Sequence, residues 1–146
     1  MRFWDSSALV PLLVAEPSTA MVMAEYERDP EIIAWWASEV ECVSALARLE
    51  REGSLSSASM STALGRLAAL AQSWRLIEPV ARARQTAIRL LRVHPLRAAD
   101  ALQLAAALAA AEDQPQTLGF VTLDDRLAQA AEREGFPIVL NPARPG

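Results

Sequence analysis

Two rhythms of hydrophobic and polar positions alternate along the chain. Short apolar runs, partly β-branched, separate longer stretches in which apolar residues recur at helical spacing. Arg2–Asp5 is a short apolar run ending in Asp5-Ser6-Ser7, a strand that stops at a helix N-cap. Ala8–Ala15 predicts a helix interrupted near Pro11, and Glu16-Pro17-Ser18 restarts a helix through about Asp29. Ile32–Trp36 predicts a buried strand. Ser38–Glu41 has the S-x-x-E form of a capping box and opens a helix to about Glu52, closed by Gly53 and Ser54. Met60, Leu64, Leu67 and Leu70 mark a helix over Ser56–Trp74. Arg75–Glu78 predicts a short strand, Pro79 starts a helix to about Val93, and His94-Pro95 breaks the chain. Leu96–Ala111 predicts a helix, Gly119–Thr122 a strand, Asp124–Glu134 a helix and Pro137–Leu140 a last strand.

Strands alternating with helices predict a three-layer α/β/α sandwich with a mostly parallel central sheet. A length of 146 residues predicts one domain spanning 1–146. Composition narrows the setting. One cysteine, Cys42, excludes an intrachain disulfide and fits a reduced, cytoplasmic environment. The acidic Asp5 comes too early for a secretory leader, and the apolar stretch Leu104–Ala111 is too short to span a bilayer core of about 30 Å, so no membrane association is expected. Hydrophobic residues make up 52% of the chain, against an ordinary share of about 45–50%. That excess predicts apolar surface covered by a second copy or another chain. All 14 basic residues are arginine, which removes any mechanism needing lysine. A net charge of −4 argues against a nucleic-acid binder, unless cations offset a local cluster of carboxylates.

Four acids supply such a cluster. Asp5, Glu41, Asp100 and Asp124 each fall where a strand passes into a helix or in a helix's first turns. In a parallel sheet those positions line one edge, where such folds place their sites. Gathered there, four carboxylates form a cage of hard oxygen donors of the kind Mg²⁺ or Mn²⁺ takes. Each acid also has a purely structural explanation. Asp5 and Asp124 can be N-caps, Glu41 can be the return half of the box begun by Ser38, and Asp100 can complement a helix dipole. Caps alone would be served equally by Ser, Thr or Asn, so the joint occurrence favours a site. Asp125 shares no helix face with Asp124 and is expected to be exposed. Ser6 and Thr122 adjoin the acids as possible supporting hydroxyls, with strand-end packing as the alternative.

The same residues carry a resemblance. Phe3-Trp4-Asp5-Ser6-Ser7-Ala8-Leu9 resembles the opening signature of PIN domains. Ser38–Leu46 with Arg48, Leu96–Gln103, and Phe120–Leu127 followed by Ala130-Ala131 and Gly135 resemble the family's second, third and fourth blocks, in order. Size and compactness resemble the VapC-type toxins of bacterial toxin–antitoxin pairs. The resemblance implies an endoribonuclease dependent on Mg²⁺ or Mn²⁺, a homodimer, and inhibition by a small cognate antitoxin. It maps the family's acids onto Asp5, Glu41, Asp100 and Asp124.

The chemistry agrees with the donors. Metal-assisted hydrolysis of a phosphodiester needs no protein nucleophile. Asp5 and Asp100 are expected as principal ligands, Glu41 as a ligand or the group orienting water, and Asp124 as the completing acid. Competing phosphate chemistries lack their parts. Ser7 stands where a haloacid-dehalogenase-like enzyme needs a second Asp, and five glycines leave no room for a nucleotide loop. His94, before Pro95, reads as a turn residue, and Cys42 as buried and inert. The four tryptophans read as core or interface anchors. Arg82 and Arg89 share a helix face that is either solvated or a phosphate stripe, and Arg97 is the arginine best placed for substrate. Two rival readings remain from the sequence: a non-catalytic metal-binding scaffold or regulatory module, and a DNA nuclease of the same fold.

Overall fold

The computed structural model describes residues 1–140. Five short strands form one parallel sheet: β1 (Arg2–Trp4), β2 (Ile32–Trp35), β3 (Arg75–Ile77), β4 (Gly119–Val121) and β5 (Ile138–Leu140). Their order is β3-β2-β1-β4-β5. The chain runs outward from β1 through β2 to β3, then returns to the other side of β1 for β4 and β5. Strand order therefore reverses beside β1, and the C-terminal ends of β1 and β4 flank the crevice where parallel sheets bind ligands.

Seven helices cover the sheet: α1 (Ser6–Leu9), α2 (Thr19–Arg28), α3 (Ser38–Arg51), α4 (Ser57–Ala71), α5 (Ala81–Val93), α6 (Ala98–Ala110) and α7 (Asp125–Arg133). The period-two alternation of strand side chains divides the core into two layers. Phe3, Ile33, Trp35 and Phe120 face α5, α6 and α7, meeting Ala87, Leu90, Leu104 and Leu127. Trp4, Ile32, Ala34 and Val121 face α1 to α4, meeting Leu9, Val22, Leu46 and Leu67. Phe3 stacks on Phe120 at a centroid distance of 5.3 Å, and Trp4 meets Tyr26 edge-on at 6.4 Å. The three-layer parallel sandwich expected from the pattern is the architecture observed.

Local differences have local causes. The helix expected over 8–15 is one turn, α1, followed by a 3₁₀ turn over Val10–Leu12 with Pro11 inside it. Proline at that point removes a donor and its ring crowds the preceding turn. The capping box at Ser38 does not form. Ala37 is the N-cap of α3 without a side-chain bond, and Ser38, one residue inside, turns its hydroxyl into the buried interface with α6. Gly53 follows the end of α3 at φ +79, the left-handed conformation that suits glycine there. His94 is the C-cap of α5 and is buried, with Nε2 2.7 Å from Glu134 Oε1. Among the described residues, no helix is long and apolar enough to cross a membrane.

Candidate active site

Asp5 follows β1 directly and begins α1. Its carboxylate caps that helix, accepting from the Ser7 backbone N–H at 3.1 Å and from the Ser7 hydroxyl at 2.8 Å. Thr122, at the end of β4, adds another hydroxyl bond to it. Ser7 also accepts from the Leu123 N–H at 2.9 Å, so it ties the start of α1 to the turn after β4. In that turn the Asp124 N–H donates to Thr122 Oγ1 at 3.0 Å, and the Asp124 carboxylate caps α7 by accepting from Leu127 N–H at 2.8 Å. Asp5 and Asp124 thus take the N-cap roles the sequence allowed, and the same geometry aims both at the crevice between β1 and β4.

Glu41 and Asp100 come from the helices on opposite faces of the sheet. Glu41, in the first turn of α3, accepts from Gln103 Nε2 at 2.8 Å and from the Ser6 hydroxyl. Asp100, in the first turn of α6, accepts from the backbone N–H of Arg97, the N-cap residue, and feels the Arg97 charge. Arg97 itself is exposed. Asp125 points to solvent, as expected for the neighbour of Asp124.

The four acids lie within one another's fields. Burial pushes Asp5 up from 3.8 to about 6, against the bonds from Thr122 and Ser7, and the Asp124 charge adds to the rise. Burial likewise pushes Glu41 from 4.5 to about 7, opposed by Gln103 and Ser6 and reinforced by the charges of Asp5 and Asp100. Asp100 is raised by burial and by Asp124, against Arg97. Burial and neighbouring like charge thus act together on Asp5, Glu41 and Asp100. Cys42, buried behind Glu41, is pushed up to about 12 by burial and the same acids, which keeps its thiol protonated and inert.

Among the described residues, no three His, Cys, Asp or Glu side chains are arranged to hold an ion. Each carboxylate is instead turned to its own protein donors: Asp5 to Ser7 and Thr122, Asp124 to Leu127, Glu41 to Gln103. The donor chemistry nevertheless fits a hard divalent ion, being all oxygen, partly buried and in excess of local positive charge.

Ser7, Ser38 and Gln103 are the site residues that sequence reading missed. Gln103 sits one turn after Asp100 on α6, 1% exposed, with Nε2 also 3.1 Å from Ser38 Oγ. A polar residue inside the apolar run Ala101–Leu108, one helical turn beyond an acid, was the available signal. The arginine stripe on α5 is spoken for: Arg82 pairs with Asp113, and Arg89 with Glu134 at 3.1 Å. Trp4, Trp35 and Trp74 are buried, while Trp36 is 53% exposed.

Solved structures share this architecture. Residues 94% of this chain in extent superimpose on 96% of a chain in the crystal structure of FitAcB from Neisseria gonorrhoeae, with TM-score 0.65 and 16% identity. The structure of FitAB bound to an IR36 DNA fragment matches all of this chain and 98% of that chain, with TM-score 0.66 and 16% identity. No curated protein matches by sequence. The sequence profile of the PIN domain matches residues 2–133, a span that holds all four acids and every described strand and helix except β5; the chain belongs to the PIN domain family.

Proposed function

We propose that this protein is an endoribonuclease dependent on Mg²⁺ or Mn²⁺, acting as the toxin of a VapBC-type toxin–antitoxin pair. The observation that carries the reading is the placement of four carboxylates, Asp5, Glu41, Asp100 and Asp124, at helix starts around the switch point of the sheet. PIN domains are generally metal-dependent nucleases, and that general chemistry suits this crevice. Asp5 and Asp100 would be the principal ligands, with Glu41 and Asp124 completing the set. A bound ion of this kind supplies charge neutralisation at the phosphate and a water acidic enough to attack it. The chain's own part is to hold and orient. Ser7 and Thr122 fix the Asp5 carboxylate, and Arg97 stands exposed one turn before Asp100 to meet substrate phosphate. Glu41, held by Gln103 and Ser6, would serve as a ligand or as the group that orients the attacking water.

Partners follow from surface as well as family. Trp36 and Val40 are 53% and 67% exposed, and Ile88 and Val93 on the far layer are each 58% exposed. Large apolar side chains left open on two faces support a homodimer and a cognate antitoxin, each covering part of that area. The lone free Cys42 and the toxin assignment support a cytoplasmic setting.

The test is cleavage of total cellular RNA by the purified chain in Mg²⁺ or Mn²⁺, with chelator and an Asp5→Asn/Asp100→Asn double variant as controls. Discrete fragments that need both the ion and the acids are expected. Cleavage that survives the double variant would sink the assignment. A second reading, action on DNA, is favoured by one observation: the structural neighbour FitAB is described bound to a DNA fragment. Parallel digests of RNA, duplex DNA and branched DNA separate the two.

A further inference from the structure

We propose that Gln103 is a positioning residue that locks Glu41 to α6 and so sets the spacing between Glu41 and Asp100. The inference rests on the reading of those acids as metal ligands. Gln103 is 1% exposed in the apolar interior of α6. A buried amide costs free energy unless its polar atoms are bonded, so an apolar residue of like size would be favoured there by packing alone. The amide is engaged on three sides. Nε2 donates to Glu41 Oε2 at 2.8 Å and to Ser38 Oγ at 3.1 Å, and the Ser38 hydroxyl returns a long contact of 3.5 Å to Oε1.

That pattern fixes which way the amide points. Its two N–H groups face the carboxylate and the serine, because turning the oxygen toward ionised Glu41 would set two acceptors together. Ser38 forgoes its cap position to serve as the second anchor. Asp100 and Gln103 are three residues apart on α6 and share a face. One helix therefore presents a ligand and, a turn later, the strut that holds a ligand from the opposite layer. A neutral donor suits the task. Arginine or lysine at this place would neutralise Glu41 and compete with a divalent ion, whereas an amide orients the carboxylate and leaves its charge available.

The experiment is Mn²⁺ titration calorimetry on the full chain, comparing wild type, Gln103→Met, Ser38→Ala and Asp100→Asn, with thermal unfolding of each. Removal of such outer contacts typically lowers metal affinity about 10- to 100-fold. Gln103→Met keeps the volume and is expected to bind Mn²⁺ about tenfold more weakly, with RNA cleavage losing kcat at unchanged KM. Ser38→Ala, which spares the Glu41 contact, is expected to show a smaller loss in the same direction, and it carries the test should Gln103→Met not fold. Mn²⁺ affinity equal to wild type in folded Gln103→Met overturns the proposal and leaves the metal reading standing, provided that Asp100→Asn weakens binding. Wild type that binds no Mn²⁺ overturns the metal reading itself and this proposal with it.

Discussion

Asp5→Asn isolates the electrostatic cost of holding a carboxylate inside the crevice. Burial lifts the Asp5 carboxyl from 3.8 to about 6, even after the bonds from Thr122 and Ser7 have opposed the rise. A folded value above the unfolded one means that the folded chain binds the proton more tightly. The contribution favours folding fully below about pH 3.8 and is lost as pH climbs through about 6. A shift of roughly two units at 1.36 kcal/mol per unit amounts to about 3 kcal/mol. At 3% exposure the side chain has little solvent to screen this cost. The asparagine variant has no proton to lose, and it also relieves Glu41, which the Asp5 charge raises. Urea unfolding of both proteins in chelator, from about pH 3.5 to about pH 7.5, gives the two stability curves. The difference, variant minus wild type, is expected to grow in the variant's favour by about 3 kcal/mol across that window. Lost hydrogen bonds shift the difference by a constant and leave its slope untouched. Parallel curves would refute the reasoning.

Three further outcomes are expected. Asp100→Asn should fold and lose RNA cleavage by at least about 100-fold, since removing a ligand should cost no less than the upper range for removing a ligand's support; single-turnover rates against thermal unfolding check this. Arg97→Ala should weaken RNA binding across sequences and reduce the slope of log affinity against log salt by about 1, read by anisotropy over a salt series. Leu104→Ala, at a fully buried position between α6 and the sheet, should cost about 3 kcal/mol in urea unfolding, and a loss below about 1 kcal/mol would contradict the packing described.

The sheet and its helices were legible because each rests on local rhythm. Ile32–Trp36, for example, is apolar at every position, and its first four residues become β2, buried on both faces, while Trp36 is exposed. Asp5 and Asp124 were legible as caps, because a strand-end carboxylate in a parallel sheet falls at the N-cap of the helix that follows. Glu41 was legible for the wrong local reason. Its expected partner three residues back is turned away, and its actual partner, Gln103, lies 62 residues on. Ser7 escaped notice similarly, since its bond to Leu123 spans 116 residues. Periodicity and capping rules describe neighbours along the chain, whereas these hydroxyls and this amide act between layers.

The position of β1 at the centre of the sheet has a consequence for synthesis. Arg2 pairs with Gly119 on one side and with Ile32 on the other. Asp5 and Glu41 leave the ribosome early, but Asp100 and Asp124 belong to the last third of the chain. At about 5–20 residues per second, several seconds separate the first acid from the last. Until β4 docks against β1, a growing polypeptide has half a set of carboxylates and no crevice. A crevice built this way exists only once segments more than a hundred residues apart have met.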